Sequence, residues 1–127
     1  MKRIAVAVPL LLAFITGASL SCLFFLRDTE SEAGAFIAEV ETAAMSEDYD
    51  ACRRTLDEFG VFWDERERYY LLFVRHEEMH DIKIGIEQMK GFAQCRDKSG
   101  IIGELRMLKA MLSHITESET PLLKNIL

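Results

Sequence analysis

The sequence has few of the features that mark turns between strands. It contains only two prolines in 127 residues, and neither Asn-Gly nor Asp-Gly stands between apolar runs. Apolar and polar residues also show no sustained alternation, the pattern that half-buried strands require. We therefore expect an all-α fold, with one N-terminal transmembrane helix followed by an extracytoplasmic antiparallel bundle of three to four helices.

The motifs of several enzyme classes are also missing. No Gly-x-Ser-x-Gly nucleophile motif and no glycine-rich phosphate loop occur. Cys52 and Cys95 have no histidine close in sequence that would activate them as nucleophiles. We therefore predict a protein that is not an enzyme and that uses no cofactor.

Charge is absent from one long stretch, Ile4 to Leu26, which contains no Asp, Glu, Lys, Arg or His in 23 residues. As a helix this stretch would be roughly 35 Å long, enough to cross a hydrocarbon core of ~30 Å. Thirteen of its residues are Leu, Ile, Val or Phe. Together they favour insertion into a bilayer by about 4 to 8 kcal/mol. The sequence therefore predicts a signal-anchor helix at 4–26.

Flanking charge predicts the orientation of this helix. Lys2 and Arg3 precede it, whereas Arg27 is followed at once by acidic residues. The positive-inside rule then places residues 1–3 in the cytoplasm and the C-terminal part outside, in a single-pass protein of the cell membrane. Two alternatives remain: a signal peptide cleaved near Ser19, and a lipoprotein modified at Cys22.

The residues beyond the apolar stretch are acidic. Residues 28–127 carry 12 basic and 21 acidic side chains, a net charge of −9. Nucleic acid is therefore a poor partner, because it would be repelled. Between Asp28 and Asp50 there are eight acidic residues and no basic one. We predict an acidic juxtamembrane helix at 27–46 and a bundle domain at 47–127; the acidic stretch is either a solvated face or a docking surface.

Small residues provide a second predicted contact surface. Ala13, Gly17 and Ser21 recur at every fourth position of the apolar helix. This spacing places them on one face and permits close approach of a second helix, although such residues are also common in membrane helices. A protein partner is therefore expected either on this face or on the acidic juxtamembrane helix.

Helical periodicity predicts where the helices begin and end. The membrane helix should extend to about Met45, and Ser46 should cap the second helix. Gly60 should weaken the second helix, and the third should run from about Asp64 to Cys95. A turn at 97–100 should precede the fourth helix, which should stop at Thr120-Pro121.

The same periodicity predicts the core. The positions expected to face inward are Ala33, Phe36, Ile37, Val40, Ala44, Tyr49, Cys52, Leu56, Phe59, Trp63, Leu72, Met79, Ile82, Ile86, Met89, Ala93, Ile101, Ile102, Leu105, Leu108, Leu112 and Ile115. With a turn near Trp63, Cys52 and Cys95 would lie roughly 30 Å apart along the bundle axis. That distance is too long for a disulfide, so we predict two free thiols.

One motif suggests metal chemistry. His76-Glu77-Glu78-Met79-His80 fits H-E-x-x-H, in which two histidines one helical turn apart bind zinc and the glutamate activates water. The alternative to a non-enzymatic protein is therefore a zinc peptidase or a metal-binding protein, with His76, His80 and Glu104 as ligands and Glu77 as the base. A structural histidine cluster accounts for the same residues, and the single Glu77-x-x-His80 lacks the second copy of a di-iron bundle.

A further candidate zinc ligand, His114, lies beyond Glu104 in sequence.

The region from about Glu47 to Leu127 resembles a family of short membrane-anchored proteins from spore-forming Gram-positive bacteria, domain of unknown function forty-three sixty-three. The resemblance is carried by Glu47-Asp48-Tyr49, Trp63, His76-x-Glu78-Met79, Ile82, Leu105, Leu108 and Asn125-Ile126-Leu127. It implies the anchor and the helical fold, and it brings no activity with it. Members that resemble this pattern typically place an acidic or other polar residue where His80 stands, so the second zinc ligand would be peculiar to this chain, which disfavours the zinc hypothesis. We therefore expect a non-enzymatic binding or accessory module of a membrane complex.

Overall fold

Four helices make up almost all of the structure. The computed structural model describes the backbone of residues 2–70 and 76–126. The helices are α1 (Lys2–Met45), α2 (Tyr49–Tyr70), α3 (His76–Gln94) and α4 (Lys98–Ile126). No strand occurs within those two ranges. The all-α prediction is therefore confirmed.

The helices form an antiparallel four-helix bundle in which each helix contacts two others. α1 packs on α2 and α4, and α3 packs on the same two helices from the opposite side. Two turns, α1–α2 and α3–α4, lie at one end of the bundle, where residues 47–50, 93, 94 and 96 line a common polar pocket. We call this the distal end, and the end near Leu26 the proximal end. The hydrophobic core includes α1 from Leu26 onward, Ser19 is also buried, and residues 2–18 are all exposed.

The core confirms the predicted apolar stripes. From α1 to α4, the buried hydrophobic residues are Leu26, Ala33, Ile37, Val40, Ala44, Cys52, Leu56, Phe59, Trp63, Met79, Ile82, Ile86, Met89, Ala93, Ile101, Leu105, Leu108, Leu112 and Ile115. Phe36, Tyr49 and Ile102 pack against this core and are partly buried. Leu72 lies outside the described residues. A helix that buries one face repeats its apolar residues every 3.6 positions, which is why the sequence alone reveals these stripes.

The boundary between the second and third helices was predicted wrongly. α2 continues past Gly60 to Tyr70, and α3 begins at His76 rather than at Asp64. Glycine costs roughly 1 kcal/mol in a helix interior. Here the burial of Phe59 and Trp63 on either side holds the helix together. Trp63 therefore lies inside α2, where its Nε1 donates a hydrogen bond to the Met79 carbonyl oxygen of α3 at 2.9 Å.

The α1–α2 turn differs from the prediction in its capping residue. The Ser46 backbone N–H bonds to the Thr42 carbonyl and so belongs to the end of α1. Glu47 adopts a left-handed conformation with φ of 57°, and the helix is closed by the Asp48 N–H on the Ala43 carbonyl. The side chain of Asp48, not of Ser46, caps α2 by accepting the Ala51 N–H at 3.1 Å.

The α3–α4 turn repeats the same construction. Arg96 has φ of 55°, and the Asp97 N–H bonds to the Phe92 carbonyl at 2.8 Å. Asp97 then accepts the Gly100 N–H at 3.0 Å, so α4 begins at Lys98. The predicted turn at 97–100 is therefore wrong in extent, because its last three residues are helical.

The predicted end of α4 at Thr120-Pro121 is also wrong, since the helix continues to Ile126. Proline fixes φ near the helical value and removes one donor, the N–H that would bond to the carbonyl four residues earlier. The preceding turns are held by contacts with α1 and α3. Loss of a single bond does not end a helix supported in this way.

Candidate functional site

The H-E-x-x-H motif forms the first turn of α3 at the proximal end. Glu77 and His80 are exposed, and Met79 between them is buried in the core. Glu77 therefore faces solvent. The side chain of His76 lies outside the described residues, so the predicted pair of histidine ligands stays a prediction.

The other proposed ligands lie on α4. Glu104 lies beside Gly85, where a Cβ atom would be 3.6 Å from the Glu104 Oε2 atom. His114 instead lies near the start of α3, with Nδ1 3.7 Å from Glu78 Oε1. Among the side chains that the structure describes, no three His, Cys, Asp or Glu residues form a group that could hold a metal ion. The structure therefore gives no support to the peptidase alternative.

A shallow cleft of about 140 Å³ lies beside the Glu78–His114 pair, between α3 and α4. Its other lining residues are Asp81, Met111 and Ile115. The cleft therefore brings an imidazole of α4 and a carboxylate of α3 together between two helices.

The outward face of α1 forms a larger groove. Ala38, Thr42 and Ala43 of α1 and Ala51 of α2 line an open groove of about 450 Å³, with Glu39, Ser46 and Asp48 at its margin. The face continues toward the proximal end as Ser31 and Ala35, which are also exposed. Small side chains let another helix approach closely. This groove was missed from the sequence, although exposed small residues at helical spacing were the available signal.

The predicted small face within the apolar stretch is open as well. Ala13, Gly17 and Ser21 are all exposed, and an added Cβ at Gly17 would meet nothing within 4 Å. The Ser21 hydroxyl donates to the Gly17 carbonyl at 2.9 Å, which satisfies that hydroxyl within α1. The predicted small face and the groove around Ala38 are thus both exposed, and both lie on α1.

Part of the acidic stretch pairs within the bundle. Arg66 of α2 lies 2.8 Å from Glu32 and 3.9 Å from Asp28 of α1. Glu41 pairs with Lys109 of α4 at 3.1 Å. These carboxylates therefore act in helix contacts, and Glu39 and Asp48 at the groove margin represent the acidic surface that faces outward.

Aromatic rings surround Arg66 at the proximal end. Its guanidinium carbon lies 4.9 Å from the centroid of Phe25 and 5.1 Å from that of Phe62. Tyr69 meets Phe25 edge to face, with ring centroids 5.9 Å apart. Cation–π contacts of this kind contribute about 0.5 to 1 kcal/mol each where solvent is present. The cluster fixes the end of α2 against the end of the apolar stretch.

Charged pairs join α2 to α3 on the opposite side of the bundle. Lys83 lies 2.6 Å from Asp64, and the hydrogen bond from this ammonium raises the pKa of Lys83. Burial of Lys90 lowers its pKa, but hydrogen bonds to Glu87 and Asp57 outweigh that effect and the pKa of Lys90 is raised overall. At the distal end, the hydrogen bond and charge of Arg53 lower the pKa of Asp50. These groups stay charged at neutral pH. The lysines link α3 to α2 through Asp64 and Asp57, whereas the Asp50–Arg53 pair lies within α2.

The cysteines are free, as predicted, but for a different reason. α2 continues to Tyr70 and α3 begins at His76, so Cys52 and Cys95 lie at the same distal end rather than at opposite ends. Cys52 is buried against α1, with Sγ 3.8 Å from the Val40 carbonyl oxygen, whereas Cys95 is exposed in the α3–α4 turn. Burial, and secondly the charge of Asp48, raise the pKa of the Cys52 thiol. Only Cys95 is therefore accessible to a reagent in water.

Comparison with known proteins identifies a family. A family model described as domain of unknown function (DUF4363) matches residues 24–126. No curated protein and no solved structure matches the chain. The match begins at the proximal end of the bundle and includes α2, α3 and the whole of α4.

Proposed function

The chain belongs to the DUF4363 family, a domain of unknown function, and we propose that it is a single-pass membrane protein whose bundle binds a partner as a non-enzymatic accessory module. The observation that carries the proposal is the continuity of α1. This one helix includes an apolar segment long enough to cross a membrane and also the residues that pack on α2 and α4. A partner bound to α1 would therefore be held at a fixed height and rotation relative to the membrane.

Exposure supports the membrane assignment of the apolar segment. In its most apolar window only 6% of residues are buried within the structure. Large side chains such as Leu10 and Phe14 are exposed by 65% and 74%. A core helix of a soluble protein would bury these groups, so lipid is the environment that matches them. The charge of Lys2 and Arg3 supports a cytoplasmic N-terminus and an extracytoplasmic bundle.

The partner surface in this proposal is the groove on α1. Its small residues permit close helix packing, and the carboxylates of Glu39 and Asp48 at its margin favour a partner with basic residues beside its own small ones. α1 also carries the exposed small face at Gly17 in its apolar segment, so a partner that is itself a membrane helix has a second place to contact α1. We infer a helical membrane subunit as the partner.

Site-specific photocrosslinking tests this proposal. A photoreactive amino acid at Ala38 is expected to crosslink one reproducible protein in intact cells, whereas the same amino acid at exposed Ala110 of α4 is expected to give none. Ala38→Trp should fill the groove and abolish co-purification of that protein from mild detergent. Ala110→Trp is the matched control and should leave co-purification unchanged.

Two results would contradict the proposal. Equal crosslinking from Ala38 and Ala110 would show that the groove has no special partner. Recovery of the chain only as a lone monomer, with both variants identical to the wild type, would exclude the accessory role.

A further inference from the structure

The proximal ends of the helices do not all stop at the same height. The Phe25–Tyr69 ring contact places the last turn of α2 beside the end of the apolar stretch of α1. α4 reaches the same height earlier in its course, because Leu112 and Ile115 surround one small cleft together with Leu26 and Thr29. A long part of α4 therefore remains beyond this height.

α4 continues for 11 residues past Ile115, to Ile126. At 1.5 Å per residue this continuation is about 16 Å long. α4 runs antiparallel to α1, since Lys109 pairs with Glu41 and Ile115 lies near Leu26. The last turn of α4 therefore lies at the height of residues 15–19 of α1.

That height lies inside the bilayer when α1 spans it. A hydrocarbon core of ~30 Å corresponds to about 20 helical residues. If the hydrocarbon begins at Ile4 of α1, it therefore extends to about residue 23 of the same helix. Arg27 and Asp28 mark the end of the uncharged segment. Ser19 is only 8% exposed, whereas residues 2–18 are all exposed, so protein packs against α1 at this depth.

The composition of α4 changes at the matching position. Residues 116–120 are all polar and include Glu117 and Glu119. The following segment is Pro121-Leu122-Leu123-Lys124-Asn125-Ile126, in which Leu122, Leu123 and Ile126 share one helix face. Residues 116–120, all polar, thus occupy the part of α4 near the membrane boundary. The part below it contains three aliphatic residues together with Lys124 and Asn125, and a lysine near a membrane interface can extend its ammonium group to the headgroups.

We propose that residues 121–126, the terminal segment of α4, enter the hydrocarbon of the leaflet that faces the bundle. The inference rests on the proposed insertion of α1. The membrane then holds the protein at two places, the full span of α1 and the tip of α4, and the bundle axis is fixed relative to the bilayer. The ligand of this surface is lipid acyl chain, and no particular headgroup is required.

Depth-dependent quenching of tryptophan fluorescence tests the proposal on the full-length chain in phosphatidylcholine vesicles. The chain has one native tryptophan, so Trp63→Phe provides a background without other indole. Single probes are then introduced as Leu123→Trp at the α4 tip, Phe14→Trp in the span and Met107→Trp on exposed α4. Lipids brominated at a shallow or a deep acyl position act as quenchers.

The proposal predicts that the Leu123→Trp probe is quenched several-fold more strongly than the Met107→Trp probe, and most strongly by the shallow bromines. The Phe14→Trp probe should be quenched by the deep bromines. Equal, weak quenching at positions 123 and 107 with strong quenching at 14 would overturn the proposal and leave the anchor intact. Weak quenching at 14 would contradict the proposed membrane span itself, and the inference with it.

The Trp63→Phe background removes a buried hydrogen bond to the Met79 carbonyl. If that background does not fold, the probes are placed in the wild-type chain and the quenching of Trp63 is subtracted. The comparison between positions 123 and 107 is then the same, because both chains share the native tryptophan.

Discussion

Two glycines of α3 test how closely α3 and α4 pack. Gly85 and Gly91 lie in the same helix, where Gly→Ala adds roughly 1 kcal/mol of helix propensity at either position. A Cβ at Gly91 would meet nothing within 4 Å, whereas a Cβ at Gly85 would lie 2.8 Å from Leu108 Cδ1. Leu108 is fully buried, so its methyl group can move only by displacing other core atoms.

The two substitutions should therefore have different effects on the free energy of unfolding. Gly91→Ala should raise it by about 1 kcal/mol. For Gly85→Ala, overpacking typically costs about 1 to 3 kcal/mol, so the net change should lie between about zero and a loss of 2 kcal/mol. In a bundle of this size 1 kcal/mol corresponds to about 4 to 8 °C in Tm.

Thermal unfolding of the full-length chain in mild detergent, followed by far-ultraviolet circular dichroism, measures the difference. Gly103→Ala on α4 is the control, because a Cβ there also meets nothing within 4 Å. Its Tm should rise like that of Gly91→Ala. An equal rise for Gly85→Ala would refute the close approach of Leu108 to the α3 backbone.

Three further predictions concern the turns, the arginine at the proximal end and the thiols. Glu47→Gly and Arg96→Gly should each raise the free energy of unfolding by about 0.5 to 1 kcal/mol, because glycine relieves the left-handed backbone at some cost in entropy. Arg66→Met should lower it by about 1 to 2 kcal/mol through loss of two ion pairs and two ring contacts. An alkylating reagent in water should modify Cys95 rapidly and Cys52 only on unfolding. Because the pKa of Cys52 is raised in the folded state, the free energy of unfolding should also fall as the pH rises above 9.0, the ordinary pKa of this thiol.

The free energies of unfolding are measured by chemical or thermal unfolding of the full chain. Each measurement has a matched control variant. Arg54→Met removes an exposed arginine of the same helix and should change stability little. The folded state favours the neutral thiol of Cys52. Its contribution to the free energy of unfolding is therefore complete below the pKa of the unfolded chain and is lost as the pH rises through the higher pKa of the folded chain. Cys52→Ala should remove that part of the fall at high pH. Destabilisation by Glu47→Gly, or equal labelling rates for the two cysteines, would contradict the structure at those points.

The core could be predicted from the sequence because each helix buries one face. Ile37, Leu56, Ile86 and Leu105 repeat with apolar neighbours at helical spacing, and the structure buries all four. Periodicity reports burial, and burial is the main source of stability in such a bundle. The fold class and the inward positions therefore followed from the pattern alone.

Helix boundaries could not be predicted as well, because their signals are weak or misleading here. Gly60 looked like the end of the second helix, but buried Phe59 and Trp63 maintain it. The segment 71–75, which separates α2 from α3, reads Leu-Leu-Phe-Val-Arg and contains no glycine or proline. The misplaced turn also gave a wrong separation for Cys52 and Cys95, although the prediction of free thiols was right.

The candidate contact surfaces were predicted only in part. The small face at Gly17 could be read from residue spacing, and it is open in the structure. The groove around Ala38 depends on which face of α1 its neighbours α2 and α4 leave uncovered. That information is tertiary, and a single sequence without the helix arrangement does not contain it.

The central claim is that α1 stays in the membrane and carries the bundle to the outer side. It is tested most directly by the intact mass of the chain after whole cells are treated with a membrane-impermeant maleimide. We predict a chain that retains residues 4–26 and carries one label, on Cys95, since Cys52 is buried and Cys22 lies in the apolar segment. A chain that has lost its first ~20 residues to signal cleavage, or that is labelled only after the cells are broken, would contradict the claim.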